Sequence, residues 1–379
     1  MGAPKVVRDA SRHNVMGPEA GKEPTRSVPG SPNRHNNFDL IRLLAALQVV
    51  FGHTVSHLNI KHPLVAAAAE VIKLFPGVPI FFFLSGFLVY WSYDRTPDLW
   101  RFSRNRILRL YPGLWAAFLV TCGLLLYFGV VRFRDFLTPS LAGWVLRQVT
   151  IFPVDTPELL RPWGAHNPNG SLWTIIVELQ YYVAVPLLHR LLRGKNWKTT
   201  WTGLFVASFI TTLMLSLIPE HLSQATKLAG VVLLPYLMYF LLGIGLYKEW
   251  PRVSGYLENK GLAWMGAYLA FAGIFSAWLG WYNVDYRPSA LGLVGYVILA
   301  GAVMSLAYTK PLSATRLLGG NDISYGVYIY HMLIVNSFIS LGLTERYWML
   351  PMTYLVVCVV AFLSWKLIES PALRLKTRF

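Results

Sequence analysis

The 379-residue chain is short of charge. Charged residues make up 14% of it, against about 25% in soluble domains. Acids are scarcer than bases, with 18 Asp and Glu against 34 Lys and Arg. Such a chain is not disordered, not a coiled coil and not an ordinary soluble enzyme. Cysteine is nearly missing too. Cys122 and Cys358 both sit inside apolar runs, which excludes a disulfide scaffold and a cysteine-based metal site and suits two small buried hydrophobes. Residues 1–37 lack any apolar run of useful length, so they carry no secretory signal. They also lack the Ser or Thr at position 6 that a myristoylation pattern needs. Rich in Pro, Gly, Arg and His, they read as a disordered cytoplasmic tail. No internal repeat supports an inverted-repeat transporter.

What the chain has is apolar length. Hydrophobic residues reach 55%, and there are 14 Trp, 20 Tyr and 21 Phe; mean hydropathy is +0.45. A membrane span needs roughly 17–25 mostly apolar residues. Segments that meet this lie at about 39–58, 76–93, 112–131, 171–189, 200–218, 229–247, 261–281, 288–307, 323–342 and 349–368. The expected fold is therefore all-α, a polytopic integral membrane protein with about ten transmembrane helices. Leu141–Phe152, in the longest gap, suits a segment lying along the interface. With the N-terminus inside, 25 Lys and Arg fall on inner segments and 9 on outer loops. That asymmetry predicts both termini cytoplasmic. It also explains the net charge of +16 without nucleic acid as a partner, because the basic residues cluster between apolar runs.

Ionisable groups at membrane depth are costly, so each is a candidate functional residue. Asp39 and Arg42 open the first span. His53 follows eleven positions after Arg42, roughly 16 Å further along a helix, near mid-bilayer, where a neutral imidazole can exchange a proton. Five arginines lie between Arg95 and Arg109. Topology marking needs basic residues but not arginine, and Arg suits bidentate phosphate binding. Arg106 and Arg109, three apart, share a helix face. Glu178 falls two turns into the fourth span, behind Ser171, and needs a partner or a proton. Ser324, Tyr328 and His331, spaced 4 and 3, share one side of the ninth span. A polar helix-packing seam accounts for each of these residues singly; two histidines and a glutamate in one chain make that less comfortable.

These segments resemble the acyltransferase-3 family of membrane acyltransferases. Asp39-Leu-Ile-Arg42 with His53 resembles the family's first-span motif, although Leu40 and Ile41 depart from the usual Gly-Leu. Pro76-Gly-Val-Pro-Ile-Phe-Phe-Phe-Leu-Ser-Gly-Phe87 resembles its second span, and Arg106-Ile-Leu-Arg109-Leu-Tyr-Pro112 its R-x-x-R pair. Ser171-Leu-Trp173 through Glu178 to Tyr181-Tyr182, Phe240-Leu-Leu-Gly243 to Tyr247, Ser324-Tyr325 to His331, and Glu369-Ser-Pro371 with Arg374 follow in family order. Single motifs of this kind are weak; seven in sequence are specific.

The resemblance implies acyl-CoA, most often acetyl-CoA, as a co-substrate taken from the cytoplasm, and no metal. It implies an acceptor hydroxyl on a saccharide or lipid-linked saccharide, and a multi-pass enzyme in the bacterial inner membrane. Its domain would run over 38–374, with 375–379 as a cytoplasmic C-terminal tail. Arg106 and Arg109, with Arg42, are then expected to hold CoA phosphates. His53 is the expected general base or transient acyl carrier, with Glu178 and His331 as further catalytic candidates that orient His53 or bind the acceptor. Asp39 is expected to direct Arg42, and Ser324 to line the site. Trp173, Tyr181 and Tyr182 could stack on a sugar ring, though interface anchoring explains them at least as well. Two other classes fit the buried ionisable groups: a glycolipid or polysaccharide transporter or flippase, and a non-catalytic partner in polysaccharide assembly.

Overall fold

The computed structural model describes Gly2 and residues 36–150, 156–218, 230–279, 290–310 and 313–377. Residues 3–35 of the expected tail, and parts of the sixth, seventh and eighth expected spans, lie outside them. Among the described residues every regular element is helical. Six of the described stretches are long and apolar enough to cross a membrane: Phe38–His57, Pro63–Arg95, Leu99–Tyr127, Gly170–Leu192, Trp197–Ser216 and Met349–Arg374. Gly261–Phe275 and Gly292–Ala307 are shorter apolar helices. Each apolar segment read from the sequence overlaps a helix.

Local chemistry sets several of the boundaries. α1 (Phe38–His57) carries Asp39 in its first turn, where a negative charge favours the helix dipole. His62 caps α2 (Pro63–Ile72) by accepting from the Leu64 amide, with proline at the first helical position, where a missing N–H costs nothing. α3 spans Gly77–Arg95. Asp98 caps α4 (Leu99–Tyr127) by accepting from the Arg101 amide at 3.0 Å. α5 (Pro139–Thr150) buries Leu141 and Trp144 against the bundle. α6 (Trp173–Leu192) and α7 (Trp197–Ser216) follow, then α8 (Leu237–Leu257). α9 (Gly261–Leu279) and α10 (Ala290–Ala307) come next, then the short α11 (Ser313–Leu318). α12 (Ser324–Ser340) and α13 (Met349–Ser364) run into a π turn and α14 (Ser370–Arg374). A last helical turn covers Leu375–Thr377.

α12 is the axis of the bundle. Every residue from Ser324 to Asn336 is buried, so the helix is enclosed on all sides and shows no amphipathic stripe. α3 and α8 lie backbone to backbone. A Cβ on Gly86 would land on the Phe240 carbonyl, and one on Gly243 on the Phe83 carbonyl. Small residues of this kind let membrane helices approach closely. Phe240 then stacks on Phe82 at 4.7 Å and on Tyr181 at 4.0 Å.

Side-chain amides hold the loops to the bundle. Asn37 is buried. Its side chain donates to the Thr309 carbonyl at 2.7 Å and accepts from the Ala314 amide at 2.9 Å. The entry to α1 is thus fixed to the turn between α10 and α11. Asn336 of α12 accepts from the Ala165 amide at 2.8 Å and donates to the Asn167 and Pro168 carbonyls. It draws the loop before α6 down over α12, and buried amides satisfied in this way make rigid joints.

Candidate active site

Packing of α1 against α12 brings the two predicted intramembrane histidines together. His53 Nδ1 lies 2.8 Å from His331 Nε2, and the rings are within 18° of parallel. His331 is fully buried, and its Nδ1 lies 2.6 Å from the Tyr328 carbonyl. A carbonyl only accepts, so His331 Nδ1 carries the proton. With the pair neutral, His331 Nε2 is an acceptor and His53 Nδ1 donates to it. The tautomer follows from the partners: His53 Nε2 is left with a free lone pair. His57 sits one turn on, its ring 5.7 Å from that of His53.

Arg42, Asp322 and Arg109 form an ion cluster that the sequence reading missed. Asp322 Oδ2 lies 3.0 Å from Arg42 Nη1 and 2.5 Å from Arg109 Nη2. Its Oδ1 accepts from the Ser324 hydroxyl at 2.5 Å. Burial would raise the Asp322 carboxyl, but the Arg109 and Arg42 guanidiniums hold it well below the usual carboxylate range. Asp39 pairs with Arg42 at 3.0 Å, as expected, from a half-exposed position. Asp322 is the only acid between residues 286 and 344; that isolation beside Ser324 was its one sequence signal.

A cavity of about 310 Å³ opens beside this cluster. Arg42, Arg106, Arg109 and Lys376 supply its cations, and Glu178 is the carboxylate that lines it. Glu178 accepts from the Tyr182 hydroxyl at 2.5 Å and from Ser85 at 3.2 Å. Phe81, Thr174 and Tyr328 also line the cavity. The Tyr328 ring stands 5.7 Å from His331 and 5.7 Å from Phe81. Its hydroxyl is 2.7 Å from Thr174 Oγ1. His53 and His331 do not line the cavity; Tyr328 lies against both the cavity and the histidine pair. A second, basic pocket of about 360 Å³ shares Arg42 and Arg106 with it and adds Arg95 and Arg101.

Arg42, Arg106, Arg109, Glu178, Tyr182 and Ser324 of the predicted site therefore meet on one cavity wall. Glu178 is held by Ser85 and Tyr182 rather than by His53. Trp173 and Tyr181 stand apart from the cavity. Trp173 packs on Tyr236 at 5.3 Å. Tyr181 is buried on Phe240 and donates to the Gly86 carbonyl at 3.3 Å. Both are packing residues here, and sugar stacking by them has no support in the geometry. Among the described residues there is no cluster of three or more metal-ligating side chains.

Comparison with known proteins places this arrangement. The family model described as "Acyltransferase domain", that of the acyltransferase-3 family, matches residues 35–368. The chain is 32% identical to "Nodulation protein 10" of Rhizobium leguminosarum bv. viciae, over 92% of this chain and 95% of that protein. It is 25% identical to the "O-acetyl transferase" of Shigella phage Sf6, over 89% of this chain and 96% of the relative. It is also 25% identical to "Peptidoglycan O-acetyltransferase OatA" of Listeria monocytogenes, over 78% of this chain and 51% of that protein. No solved structure matches significantly. A match of that extent, together with apolar helices able to cross a membrane, means that the chain belongs to the acyltransferase-3 family and is an acyltransferase.

Proposed function

We propose that this protein transfers an acyl group, acetyl in the first instance, from cytoplasmic acyl-CoA to a hydroxyl of a cell-surface saccharide, within a bacterial inner membrane crossed about ten times. The observation that carries the reading is the His53–His331 pair set beside a cavity walled by arginines. CoA is rich in phosphate, and arginine binds phosphate through a planar fork. The basic pocket and cavity would take the donor from the arginine-rich end of the bundle, with the thioester pointing toward Tyr328. The excess of Lys and Arg on that side supports placing it, and both termini, in the cytoplasm.

The chemistry then follows from the tautomer. His53 Nε2 takes the proton of the acceptor hydroxyl. The hydroxyl oxygen attacks the thioester carbonyl carbon, the C–O bond forms and the C–S bond breaks. The proton passes from His53 to the departing CoA thiolate. His331 positions His53 by accepting from its Nδ1 and stabilises the imidazolium as it forms. Because Nε2 of His331 points at that ring, His331→Phe removes the acceptor without leaving space.

The test is transfer of radiolabelled acetyl by the purified protein to membrane saccharides. His53→Ala should lower kcat by about 10²–10⁴-fold, the usual scale for a general base, with the donor KM kept. His331→Phe should lower kcat by a smaller factor and shift the pH–rate profile. Wild-type turnover in His53→Ala would end the assignment. A labelled enzyme trapped without acceptor would replace direct transfer by an acyl relay.

A further inference from the structure

We infer that Lys376, in the helical turn Leu375–Thr377, is a phosphate ligand for the CoA donor, acting with Arg106. This rests on the proposed acyl-CoA reading of the cavity and adds a residue to it. Lys376 lies beyond the family match, which ends at residue 368, and sequence reading put it in a tail outside the functional domain. The π turn after α13 and the short α14 bring the chain back across α4. There Arg104 donates to the Lys376 carbonyl at 3.4 Å, and Lys376 lines the cavity with Arg42, Arg106 and Arg109.

The four cations are not equivalent. Arg42 and Arg109 already share the Asp322 carboxylate, so their charge is largely answered within the protein. Among the described residues no carboxylate lies within ion-pair distance of Arg106 or Lys376. The Arg106 guanidinium lies over the Phe102 and Tyr182 rings, 5.5 Å from each centroid. Its buried Nε has no hydrogen-bond partner. A buried donor left unmade is costly, and two cations on one wall with no carboxylate at ion-pair distance repel. Both costs vanish when a dianion sits between them. The terminal phosphate of the donor, or its diphosphate bridge as a whole, has that charge and the acceptor oxygens to take the unmade bond. Burial and the Arg106 and Arg109 charges push the Lys376 ammonium down to about 8.

Two measurements on the purified full-length protein test this. Titration calorimetry with CoA and with pantetheine, which lacks the phosphates, would compare wild type, Lys376→Gln and Lys376→Arg. Lys376→Gln should weaken CoA about tenfold, the effect of losing one charge-assisted hydrogen bond. Lys376→Arg should stay within about threefold, and pantetheine should not discriminate among the three proteins. The second readout needs no variant. In wild type, amine-directed labelling of Lys376 at pH 8, read by mass spectrometry, should be blocked by CoA and untouched by pantetheine. CoA affinity equal in all three proteins, or labelling that CoA does not block, overturns the assignment. If CoA binds wild type and Lys376→Gln equally well, Lys376 falls while the donor reading stands. If CoA does not bind wild type at all, the donor reading fails and takes this one with it.

Discussion

At the scale of single residues, Asp322 has the most leverage. One carboxylate orients both Arg42 and Arg109, and its other oxygen holds Ser324 at the start of α12. Removing one partner from a buried ion pair costs about 3–5 kcal/mol. Here the guanidiniums border a cavity, so Asp322→Asn is expected near the lower end, about 3 kcal/mol. The purified variant should melt at a lower temperature and bind CoA less tightly, while Ser324→Ala should show a milder loss of the same kind. The pH dependence has a definite sign. The Asp322 carboxyl is depressed in the fold, so its stabilisation is complete above the unfolded value of about 3.9 and fades only as the pH falls below that. As the pH falls below about 4, the difference in melting temperature between wild type and Asp322→Asn should shrink. A gap that closes at pH 5 would refute the clamp.

At the scale of elements, the α3–α8 contact sets how the cavity wall is presented. Ser85, which bonds Glu178, precedes Gly86, which meets the Phe240 carbonyl of α8. Gly86→Ala forces a methyl group into backbone, and backbone cannot rotate away as a side chain can. The helices must separate, which moves Ser85 and the aromatic stack of Phe82, Phe240 and Tyr181. Overpacking of this kind costs typically about 1–3 kcal/mol and sometimes more. The expected outcome is a marked loss of monodisperse protein in gel filtration. Gly266→Ala on α9 is the control: a methyl there meets nothing within 4 Å, and the protein should be unaffected. Equal behaviour of the two variants would mean that the α3–α8 contact is looser than the structure shows.

At the scale of the whole molecule, the proposed topology makes both sides of the membrane testable. In a background with Cys122 and Cys358 replaced by Ala, single cysteines can report sidedness. Lys61→Cys and Leu341→Cys, both exposed, should react in intact cells with a maleimide that cannot cross the membrane. Gly194→Cys, which has open space around it, and Arg316→Cys should react only after the cells are opened. The reverse pattern would invert the protein and put the arginine cavity on the wrong side for a cytoplasmic donor. A mixed pattern would revise the number of spans.

Much of this protein follows from its sequence alone. Hydropathy over some twenty residues reports whether a segment prefers lipid to water, and that preference is local, so helical class and approximate segment boundaries were readable. The cost of charge in lipid is local too, which made His53, Glu178, His331 and the arginine loop stand out before any contact was known. What a given helix face meets is not local. Tyr181 and Tyr182 differ by about 100° around one helix, and both are aromatic, yet one packs on Phe240 and the other bonds Glu178. His53 and His331 are 278 residues apart, and only the packing of α1 on α12 makes them one hydrogen-bonded unit with a defined tautomer. Asp322 lies in a loop and Lys376 in a helical turn beyond the spans, positions where a charge has little cost, so Asp322 stands out only by its isolation and Lys376 not at all. The tertiary structure alone decided that Asp322 holds two of the cavity's arginines and that Lys376 lines its wall, because a charge gains its role from the neighbours that desolvate and answer it.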